Sequence, residues 1–344
     1  MNKNAVKIIA EIGVNHDGKI SKAKKLIKLA KLSGADYVKI QMYVTDNLIV
    51  NNAPLAKYQK INSRSNITQY KLLKKYELNQ NAIIKLIEYS KKIKIKLFPS
   101  IFDEDSLNLA KKLKFKLIKL PSGEITNIPL LKRMGKLNIP IIISSGMSVL
   151  EEIKSAINIL INNGAKRKNI IILHTNSEYP TPYSDVNLKS IKYILDKLKV
   201  RVGYSDHSIS SEPSIGSVIY GSEFIEKHIT LNKKDKGPDH SSSLEINEFK
   251  KMIESIRIIE KCIGKYNKFV TSSELKNKKI VRKSLYAAKS IRKGEKFNEK
   301  NLTLKRPCVG IDGKKWDLII GKKSNYNFKK NELIKIQSIH NYFK

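Results

Sequence analysis

Cysteine and tryptophan are scarce in this chain of 344 residues, which has two cysteines and one tryptophan. Two cysteines, Cys262 and Cys308, cannot form the disulfide framework of a small secreted domain, and they indicate a reducing compartment. Long apolar runs are missing as well, because Glu11 interrupts the short run near the amino terminus and no window reaches the ~20 residues of a membrane span. We therefore expect a cytoplasmic protein with no membrane partner and with room for one large and one small domain.

Acidic residues are also in short supply, since 31 Asp and Glu stand against 67 Lys and Arg, a formal charge of +36. Such a charge is typical of proteins that bind polyanions, because neutralising phosphates releases counterions. The lysines are nevertheless spread over nearly every predicted helix, with no basic tail, zinc-finger spacing or ribonucleoprotein-type aromatic motif. We therefore favour solvated helix faces around an anionic-substrate site, and expect no nucleic-acid partner.

Eight short β-branched or apolar segments recur along the chain, and a segment of helical periodicity follows most of them. They are 6–13, 37–43, 94–100, 116–124, 139–146, 169–176, 200–207 and 224–230. Strand then helix, repeated eight times within about 250 residues, predicts a closed parallel (β/α)8 barrel, the TIM barrel. The irregular interval is 44–93, which holds an additional segment rich in Asn, Gln and Tyr. Long insertions of this kind commonly form lids.

Most of the predicted strands end in polar residues, among them Lys39, Lys119, Glu124, His207 and His228. The carboxyl ends of the strands of a parallel barrel meet on one face, where the active sites of such enzymes lie. Loop polarity accounts for Ser and Asn at strand ends, but charged groups in a barrel mouth are costly unless they are paired or functional. The pattern therefore predicts a catalytic site at this face.

Strand alternation makes two histidines candidate metal ligands. In an extended strand Glu226 and His228 share one face, and Lys227 takes the other. His207 ends the neighbouring predicted strand, and two imidazoles on adjacent strands, each beside a carboxylate, suit a divalent metal in the Mn, Fe and Zn range. A single histidine at a strand end is more often an ordinary hydrogen-bonded residue, so the hypothesis depends on the pair. Lys227 is predicted to snorkel or to form an ion pair.

Two motif-like strings carry less weight. The string "GVNHDGKI" (13–20) has the spacing of a phosphate-binding loop, but Ile20 stands where the magnesium-binding Ser or Thr belongs. No dinucleotide-type G-x-G-x-x-G follows a predicted strand, so a nicotinamide or flavin enzyme lacks its main support. For "GPDHSS" (237–242), a plain turn and a functional site that uses Asp239 are both open.

Several strings together resemble the bacterial sialic acid synthases, the N-acetylneuraminate synthase family. They are "AEIGVNHDG", "ADYVKIQ", "IKLPSGEITNIPLL", "IIISSGM", "HTNSEYPTPYSDVNL", "GYSDHS" and "IEKHITLNKKDKGPDHSSSLE". The later string "VRKSLYAAKSIRKGEKFNEKNLTLKRPCVGIDG" resembles the C-terminal antifreeze-like (SAF) domain of that family. The resemblance covers nearly the whole chain. It implies an α/β fold, a TIM-barrel synthase domain at 1–261, a linker at 262–280 and a small, mainly-β SAF domain at 281–344.

The resemblance implies a transferase that joins phosphoenolpyruvate to N-acetylmannosamine, releases phosphate and forms N-acetylneuraminate. It implies a divalent metal, Mn²⁺ or Mg²⁺, held by His207 and His228. The strings "PSGEITN" and "NNGAKRKNI" also resemble N,N'-diacetyllegionaminate synthases, which use a 2,4-diacetamido sugar, and that function stays open as the alternative. We expect discrimination between the two sugars in the loops at 126–128 and 177–183 and in the SAF domain. Pseudaminic acid synthases are a more distant third.

The resemblance also implies roles for individual residues. The phosphoenolpyruvate carboxylate and phosphate would contact lysines and hydroxyls: Lys39, Lys119, Ser122, Ser177, Ser205 and, as an addition, Ser100. Glu124 would position or activate the attacking water. The residues implied to face the sugar or order the metal are Glu11, Gln41, Tyr179 and Asp239, and of these Glu11 and Tyr179 join Glu124 as candidate catalytic residues. Arg306 would reach into the partner subunit's barrel to bind the acetamido group, which implies a domain-swapped homodimer.

Two strings depart from the family pattern. Pro99, Ser100 and Ile101 stand where relatives tend to read Ser-Thr-Pro, and Cys308 and Asp312 stand where Gly and Ser are usual. Two hypotheses from classes outside the enzymes remain. They are a basic nucleic-acid-binding protein and a non-catalytic sugar-binding or ice-binding protein, the second of which gives no reason for the metal and phosphate groups.

Overall fold

The computed structural model describes residues 5–63 and 67–341, in two compact units at 1–264 and 265–344. The strands are β1 (Lys7–Gly13), β2 (Tyr37–Met42), β3 (Lys96–Ile101), β4 (Ile118–Leu120), β5 (Ile141–Ser144), β6 (Ile170–Thr175), β7 (Arg201–Asp206), β8 (Phe224–Thr230), β9 (Leu244–Glu245), β10 (Ser284–Ala287) and β11 (Leu302–Lys305). The helices are α1 (Ile20–Leu32), α2 (Thr45–Leu48), α3 (Lys57–Ser63), α4 (Gln69–Tyr76), α5 (Gln80–Lys92), α6 (Glu104–Lys112), α7 (Ile128–Gly135), α8 (Leu150–Asn162), α9 (Lys189–Leu198), α10 (Glu212–Ser217), α11 (Ile246–Cys262), α12 (Ser272–Val281) and α13 (Trp316–Ile319).

Strands β1 to β8 pair in chain order, all in parallel, and β1 also pairs with β8. The sheet is therefore closed, and the predicted TIM barrel is confirmed. Seven of the eight predicted segments contain one of these strands, and the third, 94–100, ends one residue before β3 does. The fourth is shorter than its segment 116–124, because a 3₁₀ turn at Ser122–Glu124 follows β4 and carries Glu124 beyond the strand end. The two-residue strand β9 adds to β8 outside the barrel.

The helices form where apolar residues recur at helical spacing and where a polar side chain caps the first turn. In α1 the buried residues are Ala23, Leu26, Ile27 and Ala30, a spacing that puts one apolar stripe against the barrel. Elsewhere the carbonyl oxygen of the Asn79 side chain accepts the Ala82 N–H at 2.9 Å and begins α5. Such caps satisfy amide groups that the helix itself leaves without partners.

Apolar side chains pack against both the outer and the inner face of the barrel wall. Outside, a large cluster packs between strands and helices, and it includes Ile8 and Ile225. Inside, a smaller cluster occupies the lower part of the barrel, and its members are Ile9, Phe98, Ile142, Ile171, Leu173 and Phe224. Because this inner layer is packed, a ligand reaches only the end of the barrel above it, where the strands terminate.

The insertion between β2 and β3 contains α2, α3 and α4 before the barrel helix α5. The Asn62 side-chain amide of α3 donates to the backbone oxygens of Tyr179 at 3.2 Å and Pro238 at 2.9 Å. The insertion therefore ties together the loops that follow β6 and β8. This arrangement agrees with the lid predicted for the irregular interval.

The second unit has its own core and its own small sheet. Strands β10 and β11 are antiparallel, and isolated bridges such as Tyr286 with Leu333 extend the β structure. Residues such as Leu285 and Phe297 are buried at its centre. The helix α12 occupies 272–280 of the stretch expected to be a linker and ends at Val281, and the domain boundaries at 261 and 281 stay predictions. Across the described residues, no helix is long and apolar enough to cross a membrane.

Candidate active site

A cavity of about 500 Å³ opens at the carboxyl ends of the barrel strands. The residues expected in a site that line it are Lys39, Gln41, Ser100, Lys119, Ser122, Glu124, Ser177, Tyr179, His207, His228 and Asp239. Glu11 and Ser205 are buried beside it and contact its lining residues. The structure thus brings these thirteen residues of the first unit together, although they are spread over 229 positions of the sequence, from Glu11 to Asp239.

Two lysines and two glutamates lie at the centre of the cavity floor. The Lys119 ammonium is 2.7 Å from Glu226 Oε1, and the Lys39 ammonium contacts Glu11 and lies 3.5 Å from the same Glu226 oxygen. The Ser205 hydroxyl donates to Glu226 at 3.0 Å. Register explains the grouping, because Glu11 pairs with Lys39 on one side and with His228 on the other.

Burial sets the protonation of these groups. It raises the pKa of the Glu11 carboxyl to about 7 and lowers the pKa of Lys119 to about 8. Burial also tends to raise the pKa of Glu226, but the ammonium groups of Lys119 and Lys39 outweigh this effect and hold the pKa of Glu226 at about 2. Glu226 is therefore the ionised carboxylate that keeps two lysines in position inside the barrel.

Two hydroxyls and a backbone amide form a cradle on the side of β4 to β6. The Gly146 N–H donates to the Ser122 hydroxyl at 3.1 Å. A Cβ atom at position 146 would lie 2.8 Å from that hydroxyl oxygen and 2.3 Å from the hydroxyl oxygen of Ser177. Only glycine lets both hydroxyls approach the backbone this closely, and because Lys39 and Lys119 line the same cavity, the hydroxyls are suitably placed to donate to an oxyanion. Sequence reasoning did not select Gly146, although the small residues of "SSGM" at the end of β5 were a signal.

His207 presents one nitrogen to the cavity in a fixed tautomer. Its Nδ1 lies 2.6 Å from the Asn176 backbone oxygen, which can only accept, so Nδ1 carries the proton. The other nitrogen, Nε2, then has its lone pair free to accept from the Tyr179 hydroxyl at 2.9 Å. Burial lowers the pKa of His207 to about 4, so the ring is neutral near pH 7. A neutral imidazole whose far nitrogen is hydrogen-bonded is the form that binds metals.

His228 is the second candidate ligand, and its ring centroid lies 5.4 Å from that of His207. Burial lowers its pKa well below the usual range. Its Nδ1 is buried and has no hydrogen-bond partner within the described part of the chain, and the nearest carboxylate oxygen is on Asp239 at 3.5 Å. Two neutral imidazoles, one with a buried nitrogen that lacks a partner, together with carboxylates, are a donor set that fits a divalent cation.

A second group of possible ligands lies near the loop after β8. Asp17, Asp235 and His240 converge, but the Lys22 ammonium is 2.5 Å from Asp17 and 2.7 Å from Asp235. His240 is further held by Thr230, whose hydroxyl is 2.7 Å from its Nδ1. Because a lysine cation already neutralises both carboxylates, this group is better explained as an ion-pair anchor of the loop than as a metal centre.

A stack of rings forms the wall of the cavity. The Tyr179 ring stacks on the His207 ring, with centroids 4.0 Å apart, and the Tyr58 ring stacks on the other side of Tyr179 at 5.0 Å. Tyr58 belongs to α3, so the insertion contributes directly to the site. Tyr58 was missed from the sequence, because its partner Tyr179 is 121 positions away in the chain.

Three polar side chains gather around the turn after β1. Gly13 has φ +41°, and a Cβ atom there would lie 2.8 Å from Glu11 Oε1 and 3.3 Å from both Asp239 Oδ2 and the Gln41 amide nitrogen. Glycine therefore permits this approach. Burial raises the pKa of Asp239 to about 6. The cluster lies next to His228 and offers both hydrogen-bond donors and hydrogen-bond acceptors to a polar ligand.

Glu124 lies at the edge of the cavity on the 3₁₀ turn after β4. Partial burial raises the pKa of its carboxyl, and the Asn127 side-chain amide donates to Glu124 Oε2 at 2.7 Å. A carboxylate with a raised pKa is a better proton acceptor, as a general base requires.

Two expected elements stand apart from this geometry. Arg306 is an exposed residue of the second unit, so its contact with a sugar in a partner barrel stays a prediction. Among the described lining residues, none comes from 126–128, whereas Ser177 and Tyr179 represent the loop at 177–183. The insertion contributes further lining residues, which are Leu48, Ile49, Ala56, Tyr58, Gln59, Gln69, Leu72, Leu73 and Tyr76.

Comparison with known proteins gives the same picture as the geometry. The model of the NeuB family matches residues 26–268, and that of the SAF domain matches residues 282–339. The N,N'-diacetyllegionaminic acid synthase of Campylobacter jejuni is 46% identical over 328 residues, 95% of this chain and 98% of the relative. The synthase of the same name from Legionella pneumophila is 37% identical over 322 residues, 93% and 90% of the two chains.

A solved structure is also similar. The N-acetylneuraminic acid synthetase of Leptospira borgpetersenii, in complex with citrate, is 30% identical with a TM-score of 0.69, and the match covers 80% of this chain and 90% of that one. The family match spans most of the barrel, including every cavity residue described above except Glu11 and the turn after β1.

Proposed function

Because the chain belongs to the NeuB family, whose members are phosphoenolpyruvate-dependent nonulosonic acid synthases, we propose that it makes N,N'-diacetyllegionaminic acid from phosphoenolpyruvate and a 2,4-diacetamido sugar. The observation that carries the choice of sugar is the 46% identity, over 95% of the chain, to a synthase of that name. The 30% identity to an N-acetylneuraminic acid synthetase is lower. The comparisons thus favour the legionaminate function, the alternative raised from the sequence, over N-acetylneuraminate synthesis.

The lysine and serine groups would bind phosphoenolpyruvate, the donor substrate. Phosphoenolpyruvate carries a carboxylate and a phosphate, and Lys39 and Lys119 supply two buried positive charges beside the cradle of Ser122, Gly146 and Ser177. Charge-assisted hydrogen bonds in a dry cavity are short and strong, so this set suits a trianionic substrate. The remaining hydroxyls of the donor side are Ser100 and Ser205, which contact Lys39 and Glu226 respectively.

The acceptor half falls to the groups around the histidines. Family members are metal-dependent, and His207 and His228 would hold the ion, which we propose to be Mn²⁺ or Mg²⁺. When bound, the ion would polarise the sugar aldehyde and neutralise the charge that develops on its oxygen as the enol carbon attacks. Gln41, Tyr179 and Asp239 would then bind the sugar, and the position of Glu11 between Lys39 and the cluster at Gly13 suits a role in ordering it.

Water completes the reaction at the carbon that carries the phosphate. Addition of water there, followed by cleavage of the C–O bond, releases inorganic phosphate and leaves the 2-keto acid. Glu124 lies at the edge of the cavity with a raised pKa, so we assign it to positioning this water and accepting its proton.

The second unit contributes through the partner subunit in this proposal. Arg306 would bind an acetamido group of the sugar across a domain-swapped homodimer. Mixing His207→Ala and Arg306→Ala chains tests this, because a swapped mixed dimer has one site with both an intact barrel and an intact arginine. We expect the mixture to recover about a quarter of the wild-type rate. If each chain instead used its own Arg306, every site would lack either His207 or Arg306, and no activity would be recovered.

The choice of acceptor is tested by phosphate release. The purified protein, phosphoenolpyruvate and Mn²⁺ are incubated with either the 2,4-diacetamido sugar or N-acetylmannosamine, and kcat/KM is measured for each. We expect the diacetamido sugar to be favoured by at least about tenfold, since one well-placed polar group is worth roughly 1.4 kcal/mol or more. A higher kcat/KM for N-acetylmannosamine would overturn the choice of sugar and leave the family chemistry intact.

A further inference from the structure

Lys227 is a charged residue of β8 that takes no part in the reaction described above. Its side chain is wholly buried on the outer face of the barrel wall, opposite Glu226 and His228. The ammonium lies 3.0 Å from Asp206 Oδ2 and donates to the backbone oxygens of Ser208 at 2.7 Å and Ser210 at 2.8 Å. All three of its hydrogens therefore have partners within one short stretch of chain.

Asp206 completes the network from the other strand. Its Oδ1 accepts the Ser208 N–H at 2.9 Å, and its Oδ2 accepts the Ser214 hydroxyl at 2.6 Å. It is the last residue of β7, so the sheet no longer restrains the chain beyond it. The network of Lys227 and Asp206 thus fixes the residues on both sides of His207.

A buried ion pair of this kind is weak evidence of stability, because removing both charges from water costs about as much as their attraction returns. Apolar residues would fill the same space between barrel and helices, as Ile225 and Ile229 do on the same face. What the pair adds is a defined backbone path for 206–210. That path decides where the Nε2 atom of His207 lies.

We propose that Lys227 and Asp206 are positioning residues that hold His207 in the geometry needed to bind the metal. This inference rests on the proposed function, in which His207 is a ligand. Outer residues that orient a ligand typically contribute about 10- to 100-fold to metal affinity. The effect on His207 passes through the backbone, since Lys227 and its partners lie on the opposite face of the strand from the cavity.

The test compares metal binding by three chains. Lys227→Met alone leaves Asp206 buried without its partner and is expected to fold poorly, so the informative variant is Lys227→Met with Asp206→Asn, which removes both charges. The control is Arg257→Met, which removes a half-buried ion pair with Asp36 and Glu260 at the other end of the barrel. Metal-free proteins are titrated with Mn²⁺, and free Mn²⁺ is followed by electron paramagnetic resonance.

We expect the double variant to bind Mn²⁺ about 10- to 100-fold more weakly than wild type while the Arg257→Met control stays within twofold. The KM for phosphoenolpyruvate should change little at saturating Mn²⁺, and excess Mn²⁺ should restore most of the rate, which a general loss of fold would not allow. A folded double variant with wild-type Mn²⁺ affinity would overturn the positioning role. Failure of the wild type to bind Mn²⁺ would instead contradict the metal site of the proposed function.

Discussion

The inner and outer faces of the barrel wall each bury lysine and carboxylate groups, but they do so differently. On the outer face, Lys227 and Asp206 are surrounded by protein groups that satisfy both. On the inner face, Lys39 and Lys119 share the single Glu226 oxygen Oε1, and the nearby Nδ1 of His228 has no hydrogen-bond partner among the described residues. The outer pair is closed, whereas the inner set is incomplete and faces a cavity.

The difference follows from the alternation of side chains along a strand, which gives each face of β8 its own role. Neighbouring residues of β8 point to opposite sides, so Glu226 and His228 serve the cavity while Lys227 braces the loop after β7. Incomplete hydrogen bonding of buried groups is costly in a folded protein. We therefore take the unsatisfied inner groups as the mark of substrate and metal binding, and the satisfied outer groups as support for them.

Removing a histidine of the inner face should have the largest effect on activity. We expect His207→Ala to lower metal-dependent phosphate release by about 10³-fold, because a metal supplies several kcal/mol of transition-state stabilisation and each 1.4 kcal/mol is tenfold in rate. The melting temperature and circular dichroism should stay close to those of wild type. Retained activity would remove His207 from the proposed ligands.

The inner lysine tests the donor side. Lys119→Met should reduce kcat/KM for phosphoenolpyruvate by about 10²-fold, since losing one partner of a buried charged contact costs ~3 kcal/mol. Glu226 keeps the Lys39 ammonium and the Ser205 hydroxyl as neighbours, so the unfolding free energy should fall by less than the ~3–5 kcal/mol lost when a buried charge is left without a partner. The outer substitution Lys227→Met should lower the unfolding free energy by more, because it leaves Asp206 without its cationic partner. Equal destabilisation by Lys119→Met and Lys227→Met, measured by urea denaturation, would contradict the distinction between the two faces.

The glycine of the cradle gives a smaller effect. Gly146→Ala places a methyl group 2.3 Å from the Ser177 hydroxyl oxygen and 2.8 Å from that of Ser122, so both hydroxyls must leave the positions from which they would donate to an oxyanion. We expect the KM for phosphoenolpyruvate to rise about tenfold, equivalent to ~1.4 kcal/mol, with a normal KM for the sugar. Gly123→Ala is the matched control, because its added Cβ would meet no atom within 4 Å. Similar kinetics for the two variants would argue against an anion site at Gly146.

The insertion should show the smallest effect, and one confined to the acceptor. Tyr58→Ala removes the ring that stacks on Tyr179, a contact worth about 0.5 to 1.5 kcal/mol. We expect kcat/KM for the sugar to fall about 3- to 10-fold, while that for phosphoenolpyruvate stays within twofold. Tyr70→Ala, at a half-buried position of the same insertion that does not line the cavity, is the control. An equal loss for both substrates would show that Tyr58 only supports the fold.

The barrel and the charged residues and histidines at its strand ends could be predicted because strand periodicity and polar strand ends are local features of the sequence. The other expected site residues came from the resemblance to the synthase family. The register that groups Glu11 with Lys39 and His228 follows once the strands are ordered. Local pattern could not predict Gly146 or Tyr58, because their roles depend on contacts with Ser177 and Tyr179 from other loops.

Two further differences have physical reasons. The fourth strand is short because the turn at Ser122–Glu124 begins at once after Pro121, and this turn moves Glu124 off the strand. Lys227 was expected to snorkel or to pair, and burial without any exposed surface leaves only the pair. The partners of that pair lie on the loop after β7, and alternation along β8 alone does not indicate them.

Spin-echo spectroscopy of bound Mn²⁺ decides whether the inner-face histidines hold the metal. Imidazole nitrogen bound to Mn²⁺ modulates the echo, so the signal reports histidine ligation without any measurement of activity. We expect modulation from two imidazole nitrogens in the wild type, from one in His207→Ala and from one in His228→Ala. Bound Mn²⁺ without nitrogen modulation, or with modulation unchanged in both variants, would contradict the assignment.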